Sequence, residues 1–172
     1  MRRLKPPEPV RFALALLAAA LLIASAGCRR YKPTSSVVTR DPRAASQLVS
    51  GFYQIENRAW RWTQQKFAVS LVSPPGANVT GAHLVARITV PEVLLQRFPS
   101  VALSAQVSGY PLSEDVYTTP GNHDYTRDVP ASYLVDKNVR VDFSLDKSLP
   151  PGPVDRRELG IIVREIGLVT NQ

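Results

Sequence analysis

Alternation of apolar and polar residues dominates the chain after residue 60, and this pattern constrains the fold more than any other feature. In residues 81–90, Leu84 and Ile88 belong to an apolar set that alternates with His83 and Arg87. Successive side chains of a strand point to opposite faces of a sheet, so a period of two predicts strands with one buried face. The same period is found in three further segments: 65–73, 101–108 and 139–145. Residues 159–168 are apolar on both faces, as expected of a central strand.

Prolines and glycines separate these segments, with clusters at 74–76, 120–121 and 150–153. Breaks at a spacing of about 8–15 residues predict an all-β fold, an antiparallel β-sandwich of the immunoglobulin-like or jelly-roll-like kind. Two segments, 91–98 and 130–135, begin with Pro and predict short helical turns. The apolar faces predict a core that includes Phe67, Val69, Leu71, Leu84, Ile88, Leu103, Val141, Phe143, Ile161 and Val163.

The first 28 residues have the layout of a secretory signal. Four basic residues precede the apolar run 12–24, and Ser25-Ala26-Gly27-Cys28 follows it. The run is too short to cross about 30 Å of hydrocarbon as a helix. Small residues directly before Cys28 resemble a bacterial lipobox, which implies that Cys28 carries palmitate and becomes the mature N-terminus. Ser25 stands where a lipobox usually has Leu, so an ordinary signal peptide cleaved near Ala26, leaving a free thiol, stays open as the alternative.

The residue after Cys28 is Arg29 and not Asp, which resembles the pattern that sorts lipoproteins of Gram-negative bacteria to the outer membrane. In such a host we expect a lipid anchor in the outer membrane, on its periplasmic or surface side. Residues 29–46 have no hydrophobic period and are rich in Pro, Ser and Thr. The sequence therefore predicts a signal peptide at 1–27, a lipid anchor and flexible tether at 28–46, and one β-sandwich domain at 47–172.

Most of the net positive charge of the chain lies in the predicted signal peptide or directly after it. The chain has 21 Lys+Arg and 14 Asp+Glu, and residues 1–27 hold four of the basic and one of the acidic residues, so the remainder carries a net charge of +4. Arg29, Arg30 and Lys32 lie immediately after Cys28. Beside a lipid anchor they are expected to contact anionic headgroups. Binding of nucleic acid is not expected.

Residues suited to catalysis are scarce. The chain has two histidines, His83 and His123, and Cys28 is the only cysteine. His123 and Asp124 would supply two metal ligands at most, short of a closed site. No serine lies in a Gly-x-Ser-x-Gly elbow. The sequence predicts no enzyme activity, no cofactor and no metal.

Two groups of aromatic residues are candidates for ligand binding. Trp60 and Trp62 would share one face of a strand and Arg61 the other; the indoles can stack on a sugar ring or roof the core. The second group lies in apparent loops and combines aromatic rings with nearby polar groups: Tyr110, Tyr117, His123, Asp124 and Tyr125. The charged stretch 155–158 can lock the chain before the last strand, and its Arg157, like Arg61, can alternatively reach ligand hydroxyls.

The order of these segments resembles a family of small β-sandwich domains of bacterial envelope proteins, often attached to glycosyltransferases. Members open on Gly-aromatic and Glu, continue with a Trp-Arg-Trp-like segment, and end on Asp-x-Arg-x-Leu-Gly before a last strand. The matching segments here are 51–56, 60–62 and 155–160. The resemblance covers residues 48–168 and implies a polysaccharide context. Its motifs are not catalytic, and this chain lacks the transferase domain.

These observations predict a membrane-anchored, non-enzymatic envelope lipoprotein that binds carbohydrate or an envelope polysaccharide. The alternative is a structural or assembly lipoprotein that binds another envelope protein through a sheet edge or a surface patch. An accessory subunit of a hydrolase is a third possibility. A sugar-binding module is expected to leave a Trp or Tyr open beside polar groups, whereas a scaffold is expected to expose an apolar patch or an unprotected edge strand.

Overall fold

The computed structural model describes residues 31–170, which form nine strands and four short helical segments. The strands are β1 (Ser36–Val38), β2 (Leu48–Phe52), β3 (Arg61–Val72), β4 (Ala82–Val90), β5 (Val101–Val107), β6 (Tyr110–Tyr117), β7 (Gly121–Val129), β8 (Asn138–Leu145) and β9 (Ile162–Thr170). Two α-helical turns span Ala77–Thr80 and Glu92–Arg97, and two 3₁₀ turns span Pro42–Gln47 and Ala131–Tyr133. The predicted signal peptide and Cys28 lie outside the described residues.

The strands form two antiparallel sheets that β3 connects. Sheet I has the order β2-β3-β8-β5-β6, and sheet II has the order β7-β4-β9 with β1 along the remaining edge of β9. Arg61 and Trp62 at the start of β3 pair with β9, whereas residues 66–72 of the same strand pair with β8. The predicted antiparallel β-sandwich is confirmed. The two predicted helical turns are present, with Pro91 and Pro130 as their N-cap residues.

The core lies between the two sheets and consists of the apolar faces that the alternation predicted. All ten predicted core residues are at most 2% exposed. Phe67 of β3 stacks on Phe143 of β8 with ring centroids 4.9 Å apart. Tyr125 of β7 meets Phe143 edge-on at 6.2 Å, so the same cluster joins sheet I to sheet II.

Side chains of β7 close the sandwich where the edge strands β6 and β7 meet. The Tyr125 hydroxyl donates to Ser113 O at 2.8 Å. The Arg127 guanidinium donates to Ser113 O and Glu114 O and forms an ion pair with Asp115. Its guanidinium also lies over the Tyr125 ring, 4.6 Å from the centroid. Burial raises the pKa of Tyr125 to about 12, as expected of a hydroxyl enclosed in this contact.

The predicted tether is wrong for residues 36–46, which are part of the domain. β1 pairs with β9, and the turn Pro42–Gln47 follows it. Val37, Thr39 and Ala44 are at most 1% exposed. Gln47 is also buried, and its amide donates to Ser70 O at 2.8 Å. A strand of three residues is too short to show a period, and the polar Gln47 and Thr39 are buried through hydrogen bonds rather than through apolar character.

Residues 32–170 form one compact unit that contains the core described above. The folded unit therefore begins near residue 32 and not at residue 47. Within the described residues, no helix has the length and apolar character needed to cross a bilayer.

Candidate ligand-binding groove on sheet II

The outer face of sheet II is a grid whose rows follow from strand register. One row runs Trp62, Ile162, Thr89 and Asn122, from β3 across β9 and β4 to β7. Residues directly opposite each other share a face, so the Trp62 side chain lies on the outer side with Ile162. Thr89 donates to the Asn122 side chain at 2.7 Å.

The next row is charged. Asp124, Arg87, Glu165 and Val38 occupy it, one from each of β7, β4, β9 and β1. Arg87 binds Glu165 at 2.9 Å, and the hydroxyl of Ser36 donates to the same carboxylate at 2.8 Å. Beyond it, Val85 and Gly167 continue the face toward the opposite end of the sheet.

Three adjoining depressions make this face concave. The first has a volume of about 340 Å³, the second about 250 Å³ and the third about 110 Å³. The first and second share Ala59 and Arg164, and the second and third share Arg87 and Glu165, so they adjoin one another in one row along the face. We call this row the sheet II groove; its other lining residues are Trp60, Thr89, Ile162, Val38, Arg40, Ser36, Val85, Gly167 and Val169.

A tight turn before β3 positions Trp60 at one end of the groove. Asn57 and Arg58 have φ of 48° and 56°, in the left-handed region, which reverses the chain between Glu56 and Trp60. The Ala59 and Trp60 amides both donate to Glu56 O, at 3.0 and 3.3 Å. Trp60 is half-buried, and among the described residues no acceptor meets its indole N–H.

A bulge in β9 positions Arg164. Arg87 is opposite Glu165 and Ile88 is opposite Val163, so Arg164 is an extra residue in the ladder. A bulge bends the strand locally and re-aims its side chains, and Arg164 is exposed over the groove. Neither Arg164 nor Arg40 forms a side-chain ion pair with any of the described carboxylates, whereas Arg87 is paired with Glu165.

The two tryptophans therefore share the outer side of sheet II, as predicted, and Trp60 lines an open depression. Neither indole belongs to the buried core. The arginines beside Trp60 were not among the predicted site residues. The alternation in 81–90 places Arg87 on the outward face, so Arg87 could have been predicted from the sequence. Arg40 was assigned to the tether. Arg164 owes its position to a bulge, and no pattern in the sequence marks that bulge.

The predicted tyrosine surface is wrong for two of its members. Tyr117 and Tyr125 are 6% and 0% exposed because they are inward-facing residues of β6 and β7, and not loop residues. A buried ring cannot stack on a sugar. Burial also raises the pKa of Tyr117. His123 accompanies Tyr117 at a centroid distance of 4.8 Å, and one of its ring nitrogens is 2.8 Å from Thr119 O.

Tyr110 and Asp124 are exposed, but the structure does not bring them together. Asp124 lies on the outer face of sheet II beside Arg87. Tyr110 lies at the β5–β6 turn, at the opposite end of the sandwich from Trp60, and stacks on Tyr133 with centroids 4.4 Å apart. Tyr110 is 51% exposed, so this pair forms a separate aromatic surface.

Arg61 and Arg157 form contacts within the domain that hold its segments together. Arg61 is 7% exposed and donates to Thr39 O and Tyr53 O, both at 2.8 Å. Burial lowers its pKa. Glu56 pairs with Arg157 at 2.5 Å and not with Arg61. Arg157 also binds Asp155 at 2.8 Å and lies over the Tyr53 ring, 5.0 Å from its centroid.

A larger depression of about 450 Å³ lies on the outer face of sheet I. It is lined by small and charged residues, among them Lys66, Ser104 and the paired Arg140 and Asp142. The two phenylalanines at its floor are the core residues Phe67 and Phe143, each 2% exposed, and they offer no open ring. Each depression of the sheet II groove is smaller than this one, but the groove combines an indole with guanidinium groups. Among residues 31–170, no three metal-binding side chains cluster.

No family model and no curated protein matches the chain. Solved structures similar to it include the CBM36-1 domain of a multidomain xylanase from the hindgut metagenome of Trinervitermes trinervoides, with 10% identity, a TM-score of 0.43, and coverage of 75% of this chain and 94% of that one. A family 35 carbohydrate-binding module from Clostridium thermocellum has 12% identity and a TM-score of 0.44, over 78% and 98% of the two chains. A family GH115 4-O-methyl-α-glucuronidase has 10% identity and a TM-score of 0.48, over 82% of this chain and 18% of the enzyme.

These neighbours include carbohydrate-binding modules and a domain of an enzyme. At this identity and TM-score they assign neither a ligand nor a site to this chain. The sheet II groove, and not this likeness, points to a binding site.

Proposed function

We propose that the protein is a lipid-anchored, non-enzymatic module of the bacterial cell envelope that binds a glycan in the sheet II groove. The observation that carries the proposal is Trp60, a half-buried indole in an open depression beside Thr89 and Arg164. An open aromatic ring next to polar groups is what a sugar-binding module requires, since a sugar ring has an apolar face and a rim of hydroxyls.

The groove offers both kinds of contact. Trp60 and Ile162 provide an apolar floor, while the Thr89–Asn122 pair and Arg164 provide polar groups at its side. If a sugar ring covers about 60 Å² of the indole, the gain is about 1.5 kcal/mol, or about tenfold in affinity. The length of the groove suits several sugar units rather than one.

The anchor in this proposal is Cys28. Because Thr34 already bonds to Gln47 and to Val72 within the domain, only five residues separate Cys28 from the first of these contacts. The six steps of the chain from residue 28 to residue 34 span at most about 20 Å. The proposed anchor would therefore hold the module close to the membrane surface rather than at the end of a long tether.

The binding test uses residues 32–172 with Trp62→Phe, so that Trp60 alone reports by fluorescence. Titration with soluble envelope and plant-type polysaccharides is expected to shift Trp60 emission for at least one of them. Trp60→Ala, followed by calorimetry in the otherwise unchanged segment, is expected to weaken that binding about tenfold. The matched control is Tyr110→Ala, which removes an exposed ring at the other end. Equal loss in both variants, or no binding by any polysaccharide, would refute the proposal.

The anchor is tested separately in the full chain. Replacement of Cys28 by Ser is expected to leave unprocessed precursor or to release soluble protein, because the thiol that receives the lipid is gone. Membrane fractionation and mass spectrometry of the N-terminus measure this. Unchanged processing and unchanged fractionation would show that Cys28 is not the anchor.

A protein-binding scaffold is the second candidate, and one observation favours it. The stacked Tyr110 and Tyr133 lie at the same end of the sandwich as Val79 and Val135, which are 77% and 71% exposed. The Ser108 hydroxyl donates to Tyr133 O, which ties the β5–β6 turn to this end. If no polysaccharide binds, and Tyr110→Ser abolishes association with a partner identified by cross-linking in cells, the scaffold is the better account.

A further inference from the structure

We propose that the glycan bound in the sheet II groove is acidic, with a carboxylate or phosphate group seated in the arginine-lined depression next to Trp60. This inference rests on the proposed function and specifies its ligand class. The depression of about 250 Å³ is lined by Val38, Arg40, Ala59, Arg87, Arg164 and Glu165.

The lining of this depression has more positive than negative charge. Glu165 is its single acidic residue, and Arg87 already binds that carboxylate at 2.9 Å. Two guanidinium groups, those of Arg40 and Arg164, are left without an anionic partner among the described side chains. Like charges that converge on one depression repel each other, and a bound anion removes that repulsion.

Guanidinium groups also match the geometry of the proposed ligand. Arginine presents a planar fork of donors that binds a carboxylate or phosphate through two parallel hydrogen bonds. The depression shares Ala59 and Arg164 with the one that contains Trp60. A sugar ring on the indole would therefore place an acidic substituent, or the next acidic sugar, among the arginines.

The outer face of sheet I provides an internal comparison. There the Arg140 guanidinium donates to both carboxylate oxygens of Asp142, on the same strand, at 2.7–2.9 Å. That cation is neutralised within the protein, and the two aromatic residues that line the depression, Phe67 and Phe143, are buried. The sheet II groove and the sheet I depression thus differ in both features that an acidic glycan would use, an arginine without a carboxylate partner among the described residues and an open aromatic ring.

An anionic membrane surface would also be attracted to arginines. The arginine-lined depression is concave and adjoins the indole-lined depression. This shape suits a polymer chain better than a flat layer of headgroups. Binding to an anionic membrane is the competing result that the experiment distinguishes.

The experiment compares matched charged and neutral polymers on residues 32–172. Polygalacturonate is paired with its fully methyl-esterified form to probe a carboxylate, and phosphomannan with mannan to probe a phosphate. At least one charged member is expected to bind about tenfold more tightly than its neutral counterpart at 50 mM salt, with the difference shrinking at high salt. Which pair shows the difference identifies the anionic group.

Arg164→Gln is expected to weaken binding of that charged polymer about tenfold and binding of the neutral polymer much less, because glutamine keeps a hydrogen-bond donor but loses the stronger, charge-assisted hydrogen bond. Arg140→Gln makes the same change of net charge on sheet I and is expected to alter the affinity less than twofold. Equal loss in the two variants would show a general charge effect and overturn the inference.

Two further results separate this inference from the proposed function. Equal binding of charged and neutral polymers would overturn the acidic ligand and leave glycan binding in place, whereas no binding by any polymer would overturn both. Phosphatidylglycerol vesicles that bind the segment through Arg164, with no preference between the polymers, would assign the arginines to the membrane instead.

Discussion

At the residue scale, the most informative side chain is Arg61, because it separates the structural motif from the candidate site. It lies between Trp60 and Trp62 in the sequence, yet it points inward and is buried against two main-chain carbonyls. No described carboxylate pairs with it; the carbonyl oxygens of Thr39 and Tyr53 supply the compensation that a buried cation requires. The Trp-Arg-Trp segment therefore divides its roles, with Arg61 holding the turn and Trp60 facing the groove.

The ion pairs of Arg157 predict a dependence of stability on pH. Hydrogen bonds from the Arg157 side chain, and then from its backbone N–H, hold the pKa of Asp155 below its ordinary value of 3.8. A carboxyl whose pKa is lower in the folded state stabilises the fold above its unfolded-state pKa, and this contribution disappears as pH falls through the folded-state pKa.

Asp155→Asn keeps the side-chain acceptor for the Arg157 backbone N–H but removes the charge. We expect the variant to be less stable than the parent above about pH 4, with the difference vanishing as the pH falls below the depressed pKa. Urea unfolding of both proteins between pH 2 and 7 measures this. A difference that persists unchanged to the lowest pH would show that the ion pair is not its cause.

At the scale of elements, the strand β3 and the segment before β9 determine how the two sheets meet. Gly160 N donates to Thr63 O at 2.7 Å, and Ile161 N donates to the Thr63 hydroxyl at 3.2 Å. The backbones approach closely here because residue 160 has no side chain. Gly160 of the resembled motif thus has a packing role.

Gly160→Ala is expected to destabilise the fold by about 1–3 kcal/mol, the usual cost of overpacking. An added Cβ would lie 2.7 Å from Gln64 O, 2.7 Å from Leu145 Cδ1 and 2.8 Å from the Thr63 hydroxyl oxygen. Thermal or urea unfolding measures the loss. The matched control is Gly152→Ala, whose Cβ would meet only Asp155 O at 3.8 Å and which should change stability little. A Gly160→Ala protein as stable as its control would contradict this packing.

The side chains that a strand buries determine whether the strand could be predicted from the sequence. β4, β5 and β8 each bury a regular apolar face, so the period of two identified them. The edge strands β6 and β7 were missed because inward positions such as His123 and Arg127 carry polar residues, and Tyr117, Tyr125 and Val129 do most of the packing. The tyrosines of these strands were therefore interpreted as aromatic residues of loops. β1 was missed because three residues carry no period.

At the scale of the whole molecule, the two ends and the two outer faces of the sandwich have different characters. One end carries the exposed tyrosine pair and the residues through which the chain enters the fold, since Val72 N donates to Thr34 O. The other end holds the ion pairs of Arg157. The sheet I face has its arginine neutralised, and the sheet II face has Trp60 beside two arginines without carboxylate partners.

Part of the candidate site could be predicted from the sequence, and part could not. The two tryptophans were identified from their residue type and shared face, which local alternation determines. The arginines were not, because β1, β4 and β9 meet only in the folded sheet and the position of Arg164 depends on a bulge. A site assembled by strand pairing across distant segments is visible only once the register is known.

Amide and indole chemical-shift mapping of ¹⁵N-labelled residues 32–172 tests the central claim most directly. Titration with the tightest-binding oligosaccharide is expected to shift the Trp60 indole N–H and the amides of Thr89, Ile162 and Arg164, while Ser104 and Ser144 on the outer face of sheet I stay unchanged. Shifts confined to sheet I or to the Tyr110 end, with the Trp60 signal unmoved at saturation, would contradict the assignment of the sheet II groove.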